Sequence, residues 1–473
     1  MATSAQVALP AGFTDPAFRK RRRLNWVVLG FLYAAFYMSR YSFASLTGNL
    51  SATFGWSNTD VGIFETAMPT IYGLSVLFNG PLADRLGGRK AFLFGASGVV
   101  VMNLLFGLCV SFVDVPAVMV GKGHDAHVVT AAVLKHGLEP RQLLFLMVGI
   151  WGINGYFQSF GALSIVKVNA HWFHVRERGV FAGIFGVLIR FGLILAFSGV
   201  PALVTVLPLQ YGFWVPAAVV ALFFGLNYLW VRDSPAAAGL PDLDTGDGLG
   251  IDDGKPSKLA DVVKTVFSNP ATLTIAAGSV MIGLVRRSTV DSWYPKYFKD
   301  VHLGDSAASL AKYWPYQTTA WGIALLGIAG GFAFGFASDR IFGGRRAPVI
   351  CFGFIGMAIL LSILGVCNVL ELGPWATAIV LPFVSIFVNG SHGMIGGAAS
   401  MDFGGRKAAA TAAGLFDGLQ YLVAAPLTGL GMGYTLDHWG WKAWPFVPIP
   451  FAIIGAILMS RIWHAVPKGR GGH

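Results

Sequence analysis

Apolar residues run through this chain in long blocks. They show neither the i, i+3, i+4 stripe of a helix with one wet face nor the alternation of a half-buried strand. The blocks lie at about 24–46, 60–83, 91–113, 142–166, 179–203, 209–231, 271–295, 313–337, 347–369, 374–399, 408–433 and 443–463. Each holds the roughly 20 apolar residues that carry an α-helix across the hydrocarbon core of a bilayer. A polar stretch, Arg232 to Lys264, separates the first six blocks from the last six and contains Asp242, Asp244, Asp247, Asp252 and Asp253. The pattern predicts an all-α membrane protein of twelve transmembrane helices: one six-helix half at 1–231, a linker at 232–264 and a second half at 265–473.

Composition removes the main competitor. Charged residues make up 12% of the chain, against about 25% in a soluble domain, so a soluble enzyme is excluded. The net charge of +11 would suit a nucleic-acid binder, but its positions do not, because the basic residues fall between apolar blocks. Arg19-Lys20-Arg21-Arg22-Arg23, Arg85, Arg89, Lys90, Lys167, Arg176, Arg178, Arg345, Arg346, Arg406 and Lys407 all lie on one side, and the alternate loops hold few. An excess of Lys and Arg marks the cytoplasmic side. Both termini and the linker are expected there, with the lipid bilayer as partner and no nucleic acid. No small-residue cleavage site follows the first apolar block, so no cleavable signal is expected. Cys109, Cys351 and Cys367 sit inside apolar blocks and form no CxxC pair. His124, His127 and His136 in the outer loop at 114–141 lack a zinc-like spacing, so a solvated loop without metal is expected. No GxxxxGK[ST] phosphate loop occurs, and no cofactor is expected.

The halves repeat a motif. Gly80-Pro-Leu-Ala-Asp84-Arg85-Leu-Gly-Gly-Arg89-Lys90 follows the second block, and Gly335-Phe-Ala-Ser-Asp339-Arg340-Ile-Phe-Gly-Gly-Arg345-Arg346 follows the eighth. Repeated halves with a site between them are common in transporters. This loop signature resembles that of the major facilitator superfamily. The resemblance implies that Asp84, Arg85, Asp339 and Arg340 gate the halves and do not bind substrate.

Four arginines remain inside apolar blocks: Arg40, Arg190, Arg286 and Arg287. Each costs about 2.5–3.5 kcal/mol at mid-membrane on insertion scales, so a task is expected of it. Arg40 and Arg287 lie at similar depths in the equivalent first and seventh blocks. Two guanidiniums of this kind offer paired donors to a tetrahedral dianion. The competing reading neutralises each with an acid: Asp291, one turn after Arg287, or Asp417, or the more outlying Glu65. Arg190 has no acid within a turn of its own helix. It is either a third ligand cation or the partner of Asp417.

Tyr33-Ala-Ala-Phe-Tyr37-Met-Ser-Arg40 and Arg287-Ser-Thr-Val-Asp291-Ser-Trp293-Tyr-Pro295 resemble the first and seventh helices of the organophosphate:phosphate antiporters. So do His171 to Gly179, Gly390 to Gly396 and Asp402 to Gly414 at their own places. The resemblance implies that Arg40 and Arg287, in preference to Arg286, clamp a phosphoryl group. It places Tyr33, Tyr37, Tyr72 and Tyr421 in the pocket. The chain departs from that family at Val76, where a Lys is common, and at Ile189, which precedes Arg190. Asn389 and Leu284 replace tyrosines, and His392 and Asp417 are added polar groups. Arg190 would partly restore the charge lost at Val76.

The expectation is a monomeric bacterial inner-membrane carrier that exchanges an organic phosphate for inorganic phosphate by alternating access. Two alternatives stand beside it. One is a proton- or sodium-coupled carboxylate carrier, with Asp291, Asp417 or Glu65 as coupling group. The other is a transporter-like sensor, which the short linker and the lack of an added signalling domain disfavour.

Overall fold

The computed structural model describes residues 11–120, 127–174, 177–245, 270–304, 309–395 and 415–465. His124, Arg176, the linker beyond residue 245, and Asp402, Arg406 and Lys407 lie outside the described residues, as do the side chains of Asp84, His136 and Arg178.

Among the described residues the chain forms twelve long helical rods, joined mostly by tight turns. The first half contains α1 (Pro16–Phe54), α2 (Asn58–Leu86), α3 (Gly88–Val110), α4 (Pro140–Trp172), α5 (Arg178–Ile194, continuing to Leu203) and α6 (Tyr211–Trp230). The second contains α7 (Pro270–Leu303), α8 (Trp314–Ile341), α9 (Arg346–Val369), α10 (Pro374–Gly393), α11 (415–439) and α12 (Ile449–Arg461). Helices α2 to α10 are each long and apolar enough to cross a bilayer.

Helix α1 is longer than its apolar block. Asp15 accepts a hydrogen bond from Ala17 N at 3.0 Å, Pro16 opens the first turn, and Gly55 at φ 73° ends the helix. These are favoured start and stop residues. Ser39, Arg40, Ser42, Ser45, Thr47 and Ser51 of α1 are all buried. Its polar positions therefore face protein and not lipid, as a backbone or side chain that lines a site must.

The outer loop is a correction. Val113–Val115 (β1) pairs antiparallel with Val133–Leu134 (β4), and Val118–Val120 (β2) pairs with His127–Thr130 (β3). Together they make an interrupted hairpin, where sequence reading gave only a solvated loop. Ala117 N donates to Thr53 O at 2.9 Å and seats the hairpin on the end of α1. This hairpin end of the bundle lies opposite the linker end, where the motif loops and residues 232–245 sit.

The halves meet tightly toward the hairpin end. A Cβ on Gly62 of α2 would lie 2.6 Å from the carbonyl oxygen of Gly429 on α11, so only glycine permits this approach. One turn further out, Asp437 of α11 caps the start of α2. Its carboxylate accepts from Asn58 N at 3.0 Å, Thr59 N at 2.8 Å and Thr59 Oγ1 at 2.5 Å. Those amides are orphans of a helix start, and a carboxylate suits the positive end of the helix dipole. At the linker end, Arg85, Asp339 and Arg340 are exposed, and Asp339 pairs with Arg346 of its own half at 2.8 Å. Among the described residues, no hydrogen bond or ion pair joins Arg85 or Arg340 to the opposite half. The protein is thus closed at the hairpin end.

Candidate substrate site

Helix α7 departs from regular geometry where the site begins: Arg287–Asp291 is a π turn. A π turn closes i to i+5, not i to i+4. The partner of Asp291 shifts accordingly. Asp291 Oδ2 lies 3.2 Å from Arg286 Nε, five residues back, and no ion pair forms with Arg287, four residues back. The i, i+4 pairing expected from sequence is therefore not formed.

Arg287 is instead held by Glu65 of α2. Its Nη2 lies 3.0 Å from Glu65 Oε2 and 3.1 Å from the Glu65 carbonyl oxygen. Ser292 Oγ also donates to Glu65 Oε2 at 2.8 Å. The ion pair spans the two halves and is buried, with Arg287 4% and Glu65 8% exposed. Sequence reading ranked Glu65 last among the acids; the structure makes it the partner. Arg287 Nε is buried and has no acceptor.

Arg40 of α1 is different. Its Nε and Nη2 both donate to Gln158 Oε1 of α4 at 3.4 Å. Gln158 is itself oriented by donating to Ser39 Oγ at 3.1 Å. The guanidinium lies over the ring of Tyr72 at 4.4 Å and near that of Tyr37 at 5.1 Å, both within cation–π range. Among the described residues no carboxylate lies within ion-pair distance of Arg40. A buried cation with only one neutral amide and two rings is an incomplete arrangement, since buried charges are normally paired.

Arg40 and Arg287 line one cavity with Tyr72, Tyr421, Glu65, Ser292, Trp151 and Met68. Tyr72 and Tyr421 meet edge to face at 4.8 Å across the halves. Tyr33 and Tyr37 stand behind this cavity, edge-on at 5.2 Å, and do not line it.

A second cluster adjoins the cavity through Tyr421. Arg286 Nη2 donates to Tyr421 Oη at 3.1 Å, and its Nη1 lies 3.3 Å from His392 Nε2 of α10. Arg286 and Arg287 lie 5.6 and 5.9 Å from the Tyr421 ring, so both adjacent arginines reach it across the π turn. Arg190 of α5 donates to Asn389 Oδ1 of α10, again across the halves. The alternative pair with Asp417 is not formed among the described residues. Asp417 lies within electrostatic range of Arg286 and Arg40.

Gln158 and the contacts of Arg286 with Tyr421 and His392 were missed from sequence. A polar Gln deep in the fourth apolar block was the available signal.

The family model of the Major Facilitator Superfamily matches residues 29–428. The chain belongs to the Major Facilitator Superfamily. It is 26% identical to the glycerol-3-phosphate transporter of Bacillus subtilis, over 95% of this chain and 94% of that protein. It is also 26% identical to the membrane sensor protein UhpC of Escherichia coli, over 95% and 94%. Identity to the hexose-6-phosphate:phosphate antiporter of Escherichia coli is 23%, over 93% and 89%. Among solved structures, the fold is similar to a D-xylose-proton symporter at TM-score 0.68 and 14% identity, covering 94% of this chain and 98% of that one. It is also similar to the partially occluded inward-open xylose transporter XylE of E. coli at TM-score 0.67 and 13% identity, covering 96% and 100%. This Major Facilitator Superfamily member is an integral multi-pass membrane protein of the transporter fold, as its twelve apolar blocks foretold.

Proposed function

We propose that this protein exchanges an organic phosphate ester for inorganic phosphate across a bacterial inner membrane, with both termini and the linker cytoplasmic. The observation that carries the reading is Arg40: a buried guanidinium with no carboxylate at ion-pair distance among the described residues, facing Arg287 of the other half in one cavity. A phosphate placed there supplies the acceptors that Arg40 and the orphaned Arg287 Nε lack. Guanidinium forks match phosphate oxygens bidentately. The organic-phosphate relatives named above support the substrate class, and the basic linker-end loops support the orientation.

The Glu65–Arg287 pair gives the exchange its logic. In the empty carrier Glu65 acts as an internal anion and ties α2 to α7 on the closed hairpin side. Phosphate entering from the linker end binds Arg40 and competes with Glu65 for Arg287. Once Glu65 is displaced, the hairpin end loses a cross-half tie while the bound dianion draws the two arginines together. A ligand moves such an equilibrium only by binding one form better than the other. An empty carrier re-forms the Glu65 tie and does not cross back, so each movement carries an anion.

The test is counterflow in proteoliposomes loaded with phosphate, against a panel of labelled phosphate esters. At least one ester should accumulate transiently, and only with phosphate inside. Binding without any counterflow would favour the sensor reading, and no binding of any phosphate compound would remove both.

A further inference from the structure

The cluster beside the phosphate cavity has a charge and donor pattern of its own. Arg190 is half-buried and, among the described residues, donates to the neutral amide oxygen of Asn389 alone. Asn389 is held in that orientation because its Nδ2 donates to Ser385 O at 2.9 Å. One turn along α10, His392 approaches Arg286 through Nε2. A guanidinium nitrogen only donates, so Nε2 is the accepting nitrogen and the Nδ1–H is left as a further donor. Arg190 lies within electrostatic range of both Arg286 and Asp291, and His392 of both arginines. Arg286 has Asp291 at 3.2 Å and Asp417 within electrostatic range, whereas Arg190 forms no ion pair among the described residues.

We propose that Arg190, Arg286 and His392 form a second anion subsite, joined to the phosphate cavity by Tyr421, that takes a carboxylate of the transported ester. The inference rests on the proposed function and names its substrate class: phosphorylated carboxylic acids, with the phosphoryl group at Arg40 and Arg287 and the carboxylate at Arg190. Arg190, which donates to a neutral amide and forms no ion pair among the described residues, takes the monoanionic carboxylate as the acid it lacks. Asn389 holds Arg190 in place without neutralising it, which an acid at that position would do.

The experiment uses two probes that differ only at the far end of the carbon chain: 3-phosphoglycerate, ending in a carboxylate, and glycerol 3-phosphate, ending in a hydroxymethyl group. Each is titrated as an inhibitor of radiolabelled phosphate self-exchange in proteoliposomes. The unaltered protein should prefer the carboxylate probe by about 10-fold or more, the size of one charge-assisted hydrogen bond. Arg190→Gln should bring the ratio of the two inhibition constants close to one. Should that variant fail to fold, Asn389→Asp keeps Arg190, neutralises it with a neighbouring carboxylate and should collapse the same ratio. Equal inhibition by the two probes in the unaltered protein overturns the subsite while leaving phosphate exchange intact, as does a ratio that survives either variant. Failure of both probes to inhibit overturns the subsite together with the function on which it rests.

Discussion

Helices α1 and α7 hold equivalent places in the two halves, and each turns a buried arginine into the same cavity. Their surroundings differ. Arg40 has one amide and two tyrosine rings; Arg287 has a carboxylate from the opposite half. A repeated architecture therefore does not make a repeated site. Under the proposed exchange, the α1 side is a receptor short of an anion, and the α7 side is a switch whose internal anion is displaced.

The largest expected effects follow from removing each cation. Arg40→Ala should lower phosphate affinity by about 100-fold, as charge-assisted hydrogen bonds contribute about 1.5–3 kcal/mol. It should leave thermal stability near that of the unaltered protein, because no ion pair is broken. Arg287→Ala should lose transport equally and also cost about 3–5 kcal/mol of stability, because Glu65 is left buried without a cation. Adding Glu65→Gln to Arg287→Ala should recover the stability and not the transport. Thermal unfolding and uptake measured on the three variants would break the comparison if Arg40→Ala proved the less stable single change.

Glu65→Gln alone is the next largest. It keeps the shape, removes the internal anion and turns the α7 side into a second unneutralised cation. Phosphate should bind about 10-fold tighter, the worth of one competing charge-assisted contact. Net phosphate efflux into phosphate-free medium should appear, because the empty carrier is no longer tied. An unchanged affinity with exchange still obligatory would remove Glu65 from the mechanism.

The smallest effect belongs to the α2 cap. Asp437→Asn retains one acceptor oxygen but loses the charge that faces two backbone amides and Thr59 Oγ1. Caps contribute about 1 kcal/mol. Amide hydrogen exchange around residues 58–62 should quicken about fivefold in the empty protein, and less with phosphate bound. Exchange that stays at the unaltered rate would show that Gly62–Gly429 packing alone closes this end.

Much of the architecture was legible because the bilayer demands long apolar blocks, and each of the twelve appears as a helix among the described residues. The extra turns at the start of α1 were not, since Arg19 to Arg23 break the apolar run while Asp15 and Pro16 still nucleate helix. The hairpin escaped notice because its valines are exposed on both faces and Pro116 interrupts the alternation. Within the site, Arg40 and Arg287 were legible as cations that membrane burial makes costly. Their partners were not. Glu65 lies 222 residues from Arg287 in sequence, and the π turn that moves Asp291 to Arg286 has no signature in residue type. Helical periodicity placed Asp291 against the wrong arginine because it assumed 3.6 residues per turn throughout.

The central claim is that phosphate crosses by replacing Glu65 at Arg287 while bound to Arg40, so that anion exchanges for anion. Radiolabelled phosphate uptake into proteoliposomes, with pH and sodium equal on both sides, tests it most directly. The account predicts rapid uptake when unlabelled phosphate is inside, almost none when the lumen lacks it, and no response to an imposed pH or sodium gradient. Uptake into phosphate-free vesicles driven by a proton or sodium gradient would contradict it.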